Sequence, residues 1–164
     1  MEPPGFVLDI FLQPGEFYFS DKETRIRTIL GSCVAITFWH PRLFIGGMCH
    51  YMLPANPKQR KRHDELNGKY ADDAIALFLH ETRVSGTRAH EYEIKLFGGG
   101  NQFPGKPQKS FSVSDKNVSA ALELLRQHKL HPKAQHIGGT GHRNIIFELW
   151  SGDVWVKHVD KVME

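Results

Sequence analysis

Two cysteines and one of ten histidines in this 164-residue chain are spaced so that a thiol and an imidazole can meet. The stretch Thr28-Ile29-Leu30-Gly31-Ser32-Cys33-Val34-Ala35-Ile36-Thr37-Phe38-Trp39 is followed by His40-Pro41-Arg42-Leu43, then by Phe44 to Leu53, which holds Cys49 and His50. The apolar runs read as strands and the tetrapeptide between them as a hairpin loop. With a loop of that length Trp39 pairs with Phe44 and Cys33 falls opposite His50. Opposed side chains on an antiparallel pair share a face, with Cβ atoms about 4.5–5.5 Å apart. The thiolate is the reactive form of cysteine, and a neighbouring imidazole can take the thiol proton, so the spacing predicts a Cys–His nucleophile pair. The same register sets Cys49 opposite Val34 and, because side chains alternate, on the other face; a Cys33–Cys49 disulfide is not expected. A slip of one residue would exchange the two faces.

Gly31 and Ser32 add to this chemistry. A glycine just before the nucleophile permits a tight backbone path, and the N–H groups around Ser32 and Cys33 are candidates to bind a developing oxyanion. A third group must orient the imidazole, and Thr28, on the incoming strand, offers a hydroxyl or its own carbonyl. Against this stands the ordinary role of a strand cysteine as a small inert hydrophobe. The clusters Gly98-Gly99-Gly100-Asn101 and Gly138-Gly139-Thr140-Gly141 follow strand candidates. They read as turns, as lining of the site or as anion binders, and neither matches a phosphate-binding loop or a dinucleotide fingerprint.

The elements that must position these residues follow from apolar periodicity. Phe17 to Phe19, Arg25 to Leu30, Val34 to Trp39 and Phe44 to Leu53 read as strands, followed by a buried helix from Tyr70 to Thr82 with Asp72 and Asp73 in its first turn. Glu93 to Phe97 returns to strand. Ser114 is placed to cap a helix running to His128. Strands around Ala134 to Ile137 and Asn144 to Leu149 follow, and Val154 to Val159 pairs back through a Ser151-Gly152-Asp153 turn. The expected fold is α/β, with a mostly antiparallel sheet and helices packed on it. Arg60-Lys61-Arg62-His63 and Asn101 to Ser112 read as loops.

Composition sets the outer limits. Hydrophobic residues make up 40% and charged residues 24%, which is globular composition, and the length suits one domain over residues 1–164. No apolar run approaches the roughly 20 residues that span a bilayer, and the N-terminus lacks a signal-peptide pattern, so a cytoplasmic protein without membrane insertion is expected. A net charge of +3 is too small to imply nucleic-acid binding. Two cysteines cannot form a cysteine-based zinc site, and His-Glu-x-x-His is absent, so neither metal nor organic cofactor is expected.

Leu30-Gly31-Ser32-Cys33-Val34-Ala35, followed by Gly47-Met48-Cys49-His50-Tyr51-Met52-Leu53-Pro54, resembles the signature of the CheD family of chemoreceptor glutamine deamidases. Later blocks fall in the same order: Lys69-Tyr70-Ala71-Asp72, Lys95-Leu96-Phe97-Gly98-Gly99-Gly100, Asn117-Val118, and Gly138-Gly139 with Gly141 and Arg143. Together they span about Phe11 to Val159. Ser114 and Cys49 depart from the family pattern, which favours glycine and asparagine there. The resemblance implies a single-domain α/β sandwich that converts glutamine side chains of methyl-accepting chemotaxis receptors to glutamate. It assigns Cys33 as nucleophile, His50 as general base and acid, and Thr28 as orienting residue. It also implies a CheC-type response-regulator phosphatase as partner, and receptor methylesterase activity by the same acyl chemistry. Two competing readings are a regulatory module acting mainly through that phosphatase, and a nucleic-acid or anion binder using Arg60 to His63 with Arg143.

Overall fold

The computed structural model describes residues 2–59, 62–105 and 112–161. In chain order the elements are β1 (Leu8–Phe11), β2 (Phe17–Ser20), β3 (Thr24–Leu30), β4 (Val34–Trp39), β5 (Gly46–Tyr51), α1 (Ala71–Val84), β6 (Glu93–Gly98), α2 (Val113–Gln127), β7 (Pro132–Ile137), β8 (His142–Glu148) and β9 (Asp153–Val159). The strands divide between two sheets, ordered β1-β3-β8-β9 and β2-β5-β4-β6-β7. Among the described strand pairs only β1–β3 and β6–β7 are parallel. The α/β character and the antiparallel majority are as expected; the division into two sheets is not encoded in any local pattern.

Burial periodicity explains the layering. Along β3, Thr24, Ile26, Thr28 and Leu30 are buried while Arg25 and Arg27 are partly exposed and Ile29 is exposed, the signature of a sheet with one covered face. β4 is buried throughout, as a central strand covered on both faces must be. On one face Val34, Ile36 and Phe38 pack against Ala71, Ala74, Ile75 and Phe78 of α1 and Ala121 and Leu125 of α2. On the other, Ala35 and Trp39 join Met48 and Phe97 against Ile26, Leu30, Ile145 and Phe147 of the four-stranded sheet. Phe38 stacks on Phe78 with ring centroids 4.1 Å apart, and burying such a side chain contributes about 1.5–3 kcal/mol.

Three local features differ from the sequence reading. The edge strand β1 is not legible in the sequence, because it is four residues long, mostly exposed, and held by its pairing with β3. The cap of α2 is Ser112 and not Ser114: Ser112 Oγ accepts from Asp115 N–H at 3.3 Å, and Asp115 Oδ2 accepts from Ser112 N–H at 3.4 Å. Ser114 lies inside the first turn, buried, with its hydroxyl 2.8 Å from that of Ser112. The β4–β5 register also differs. Trp39 pairs with Gly46, Ala35 with His50 and Ile36 with Cys49. The connection is longer than four residues because the buried His40 organises it. His40 Nδ1 accepts from the N–H groups of Arg42 and Leu43, Phe44 N–H donates to His40 O, and Phe44 takes a φ of 55°. Phe44 and Ile45 therefore belong to the turn. The displacement is two residues, so every side chain keeps its expected face.

Candidate active site

Cys33 sits immediately before β4, at the crossing from the four-stranded to the five-stranded sheet, and packs against the core between the sheets. His50 lies on β5, two residues beyond Met48 of that same core, and its ring is turned to the same face. Cys33 is thus a diagonal neighbour of His50 and not its direct partner; the opposed residue is Ala35. Loop residues fix the backbone of His50, whose N–H donates to Glu16 O at 3.2 Å and whose carbonyl accepts from Gly15 N–H at 2.7 Å.

Thr28 reaches His50 from the other sheet. Its Oγ1 is 2.7 Å from His50 Nδ1 and 2.9 Å from the carbonyl of Leu12, with the whole arrangement buried. The proton positions follow from valence. A carbonyl only accepts, so the single hydroxyl proton of Thr28 goes to Leu12 O, and Thr28 Oγ1 accepts from His50 Nδ1–H. That selects the tautomer with a bare Nε2, which has no hydrogen-bond partner among the described residues. Arg27, the neighbouring strand position, faces away and pairs with Asp9 at 3.0 Å.

Burial governs the protonation states. It pulls His50 down to about 4 and pushes the Cys33 thiol above its ordinary range. Near neutral pH the resting site therefore holds a neutral thiol and a neutral imidazole on the same face of the ladder. Cys49, on the opposite face among apolar side chains, is fully buried and pushed up to about 12.

The backbone before the nucleophile is ordered by its carbonyls. Gly31 O accepts from Gly100 N–H at 3.0 Å and Cys33 O from Gly99 N–H at 2.8 Å. Ser32 O accepts from Asn117 Nδ2 at 3.1 Å. The N–H groups of Ser32 and Cys33 have no acceptor among the described residues. The chain bends at Gly31 and Ser32 without Gly31 adopting a positive φ. The demand at Gly31 is for room, since a Cβ would meet the Gln102 carboxamide at 3.3 Å. The conformational demand falls on Gly98, whose φ is 110° and where a Cβ would come within 2.3 Å of Cys33 O.

Asn117 is the residue that sequence reasoning left without a role, although it stood in one of the blocks carrying the resemblance. Arg143, placed earlier in a possible anion site, is buried and donates to His136 Nδ1, Gly98 O and Gly138 O, bracing the two glycine loops. Arg60 and Lys61 of the basic loop lie outside the described residues, as do residues 106–111 of the second loop; Arg62 pairs with Asp64 and Glu65. Among the described residues no group of three or more His, Cys, Asp or Glu side chains is placed to hold a metal ion, and no helix is long and apolar enough to cross a membrane.

A thiol, a tautomer-fixed imidazole and unpaired backbone donors are the groups that thiol-based acyl transfer would need. A family model described as CheD chemotactic sensory transduction matches residues 52–158. A probable chemoreceptor glutamine deamidase CheD of Pseudomonas savastanoi pv. phaseolicola is 52% identical, covering 96% of this chain and 89% of that protein. A protein of the same description from Pseudomonas syringae pv. tomato is 49% identical over 96% of this chain and 94% of its own length. One from Leptospira interrogans, described as a probable chemoreceptor glutamine deamidase CheD 1, is 44% identical over 94% and 95%. The chain belongs to the CheD family.

Proposed function

We propose that this protein deamidates glutamine side chains of methyl-accepting chemotaxis receptors, with Cys33 as nucleophile, His50 as general base and acid, and Thr28 as the group that orients His50. The observation that carries this reading is the Thr28–His50 bond. With the threonine proton committed to Leu12 O, the imidazole keeps Nε2 free on the face it shares with Cys33. The names of relatives aligned over nearly the whole chain support the substrate.

In this mechanism His50 Nε2 takes the Cys33 proton as sulfur attacks the carboxamide carbon, and the C=O electron pair moves to oxygen, beside the N–H groups of Ser32 and Cys33. Collapse expels ammonia with the proton returned by His50, leaving a thioester. Water activated by the same imidazole hydrolyses it to glutamate. A glutamyl methyl ester would pass through the same thioester with methanol as leaving group. The reaction is expected in the cytoplasm, where no metal or cofactor is called for, and a CheC-type phosphatase is the proposed protein partner.

Mass spectrometry of a receptor cytoplasmic fragment tests the reading. Gln-to-Glu conversion, about 1 Da per site, is expected with the wild type and not with Cys33→Ala. Conversion by a folded Cys33→Ala protein overturns it. Pull-down of a CheC-type phosphatase by the full chain tests the partner.

A further inference from the structure

Asn117 is fully buried in the first half of α2, and its Oδ1 is the only buried side-chain nitrogen or oxygen among the described residues without a hydrogen-bond partner. Folded proteins rarely leave such an atom unpaired. The amide cannot be turned round to relieve it, because Nδ2 donates to two carbonyls, Ser32 O at 3.1 Å and Met52 O at 2.9 Å, and an oxygen there would face two acceptors. Those carbonyls lie one residue before Cys33 and two residues after His50.

The β4–β5 ladder explains why a side chain is needed at this point. Its last pair is Val34 with Tyr51. Beyond it the strands part: Met52 N–H donates to Lys69 O, and Cys33 O accepts from Gly99 N–H. The Asn117 amide bridges the gap that results. Tyr51 O–H, donating to the backbone carbonyl of Asn117, fixes α2 to the same end of the ladder.

A trans peptide is planar, with its C=O and N–H pointing in opposite directions. Fixing the Ser32 carbonyl therefore fixes the direction of the Cys33 N–H, which has no acceptor among the described residues. We infer that Asn117 is a positioning residue for acyl transfer, holding the Ser32–Cys33 peptide so that the Cys33 N–H is available to the oxygen that becomes negative as the thiol adds. The inference rests on Cys33 being the nucleophile.

The test separates the oxyanion from the nucleophile. Alkylation of Cys33 by iodoacetamide needs an accessible, ionisable thiol but no oxyanion donor, whereas deamidation needs both. In the full chain carrying Asn117→Ala, kcat for glutamine conversion in a receptor fragment should fall about 10²-fold with KM changed less than about threefold. The rate of Cys33 alkylation and its pH profile should stay within about twofold of wild type. Asn117→Asp, of nearly equal volume but unable to donate twice, should give the same split, and serves if the alanine variant does not fold. Unchanged kcat overturns the inference. So does a parallel fall of alkylation and deamidation, which would make Asn117 a scaffold for the thiol itself. Conversion by folded Cys33→Ala, or none by the wild type, overturns the proposed function instead, and the inference with it.

Discussion

Cys33 immediately precedes β4 and Cys49 lies within its partner β5, and burial raises the pKa of both thiols, yet their surroundings share little. Cys49 lies on the helix-side face, paired with Ile36 on one side and Phe17 on the other, in a cluster built from aliphatic and aromatic side chains. Cys33 lies at the open end of the ladder, partly exposed, on the face that carries the oriented imidazole. Neither is a preformed thiolate, so an intrinsically acidic thiol does not distinguish them. What does is access to a base, and a backbone whose carbonyls are engaged so that its amides stay free.

Substitutions should break this contrast in a graded way. Cys33→Ala is expected to lower deamidation at least about 10³-fold without loss of fold, read by mass spectrometry beside circular dichroism. Thr28→Val, similar in volume, frees the imidazole and leaves Leu12 O unpaired; kcat should fall roughly 10²-fold, and Thr28→Ser should restore most of it. The pH profile sharpens the comparison further. Burial holds His50 at about 4, so protonation removes the base only as pH falls through that value; kcat/KM should be level from roughly pH 6 to 8 and drop about tenfold one unit below the His50 value. An acid limb near 6.5, the ordinary histidine value, in protein still folded by circular dichroism would mean that the imidazole is solvated and the buried relay is wrong. Smallest of all is Cys49→Ala, with activity unchanged and stability lower by about 1 kcal/mol in urea titration.

The faces of the hairpin were legible because period-2 alternation survives an error of two residues in register. The partner of Cys33 was not, because the loop length depends on His40, whose buried ring accepts from two backbone amides; nothing local marks that histidine among ten. Ser112-Val113-Ser114-Asp115 carries a readable capping signal, with serine and a carboxylate three positions apart, whereas Ser114 has Asn117 and no carboxylate three positions on. The Leu12 carbonyl and the Asn117 amide were out of reach for another reason. Each matters through contacts that exist only once the two sheets and α2 have docked, and a side chain that bonds to a distant backbone carbonyl does not name its partner in the sequence.

The relay that sets the His50 tautomer ends on a main-chain oxygen, and that has a genetic consequence. Every amino acid carries the carbonyl that Leu12 supplies, so neither alanine scanning nor random mutagenesis can delete it. Position 12 will register only as an apolar site that tolerates other buried side chains, since its own sits in the core between the sheets and its N–H is tied to Arg27 O. On the proposed mechanism, an activity screen of this protein would score the side chains of Cys33, His50, Thr28 and Asn117 and leave this backbone partner unseen. Its loss would come only through changes that redirect the chain between β1 and β2, and would look like a folding defect.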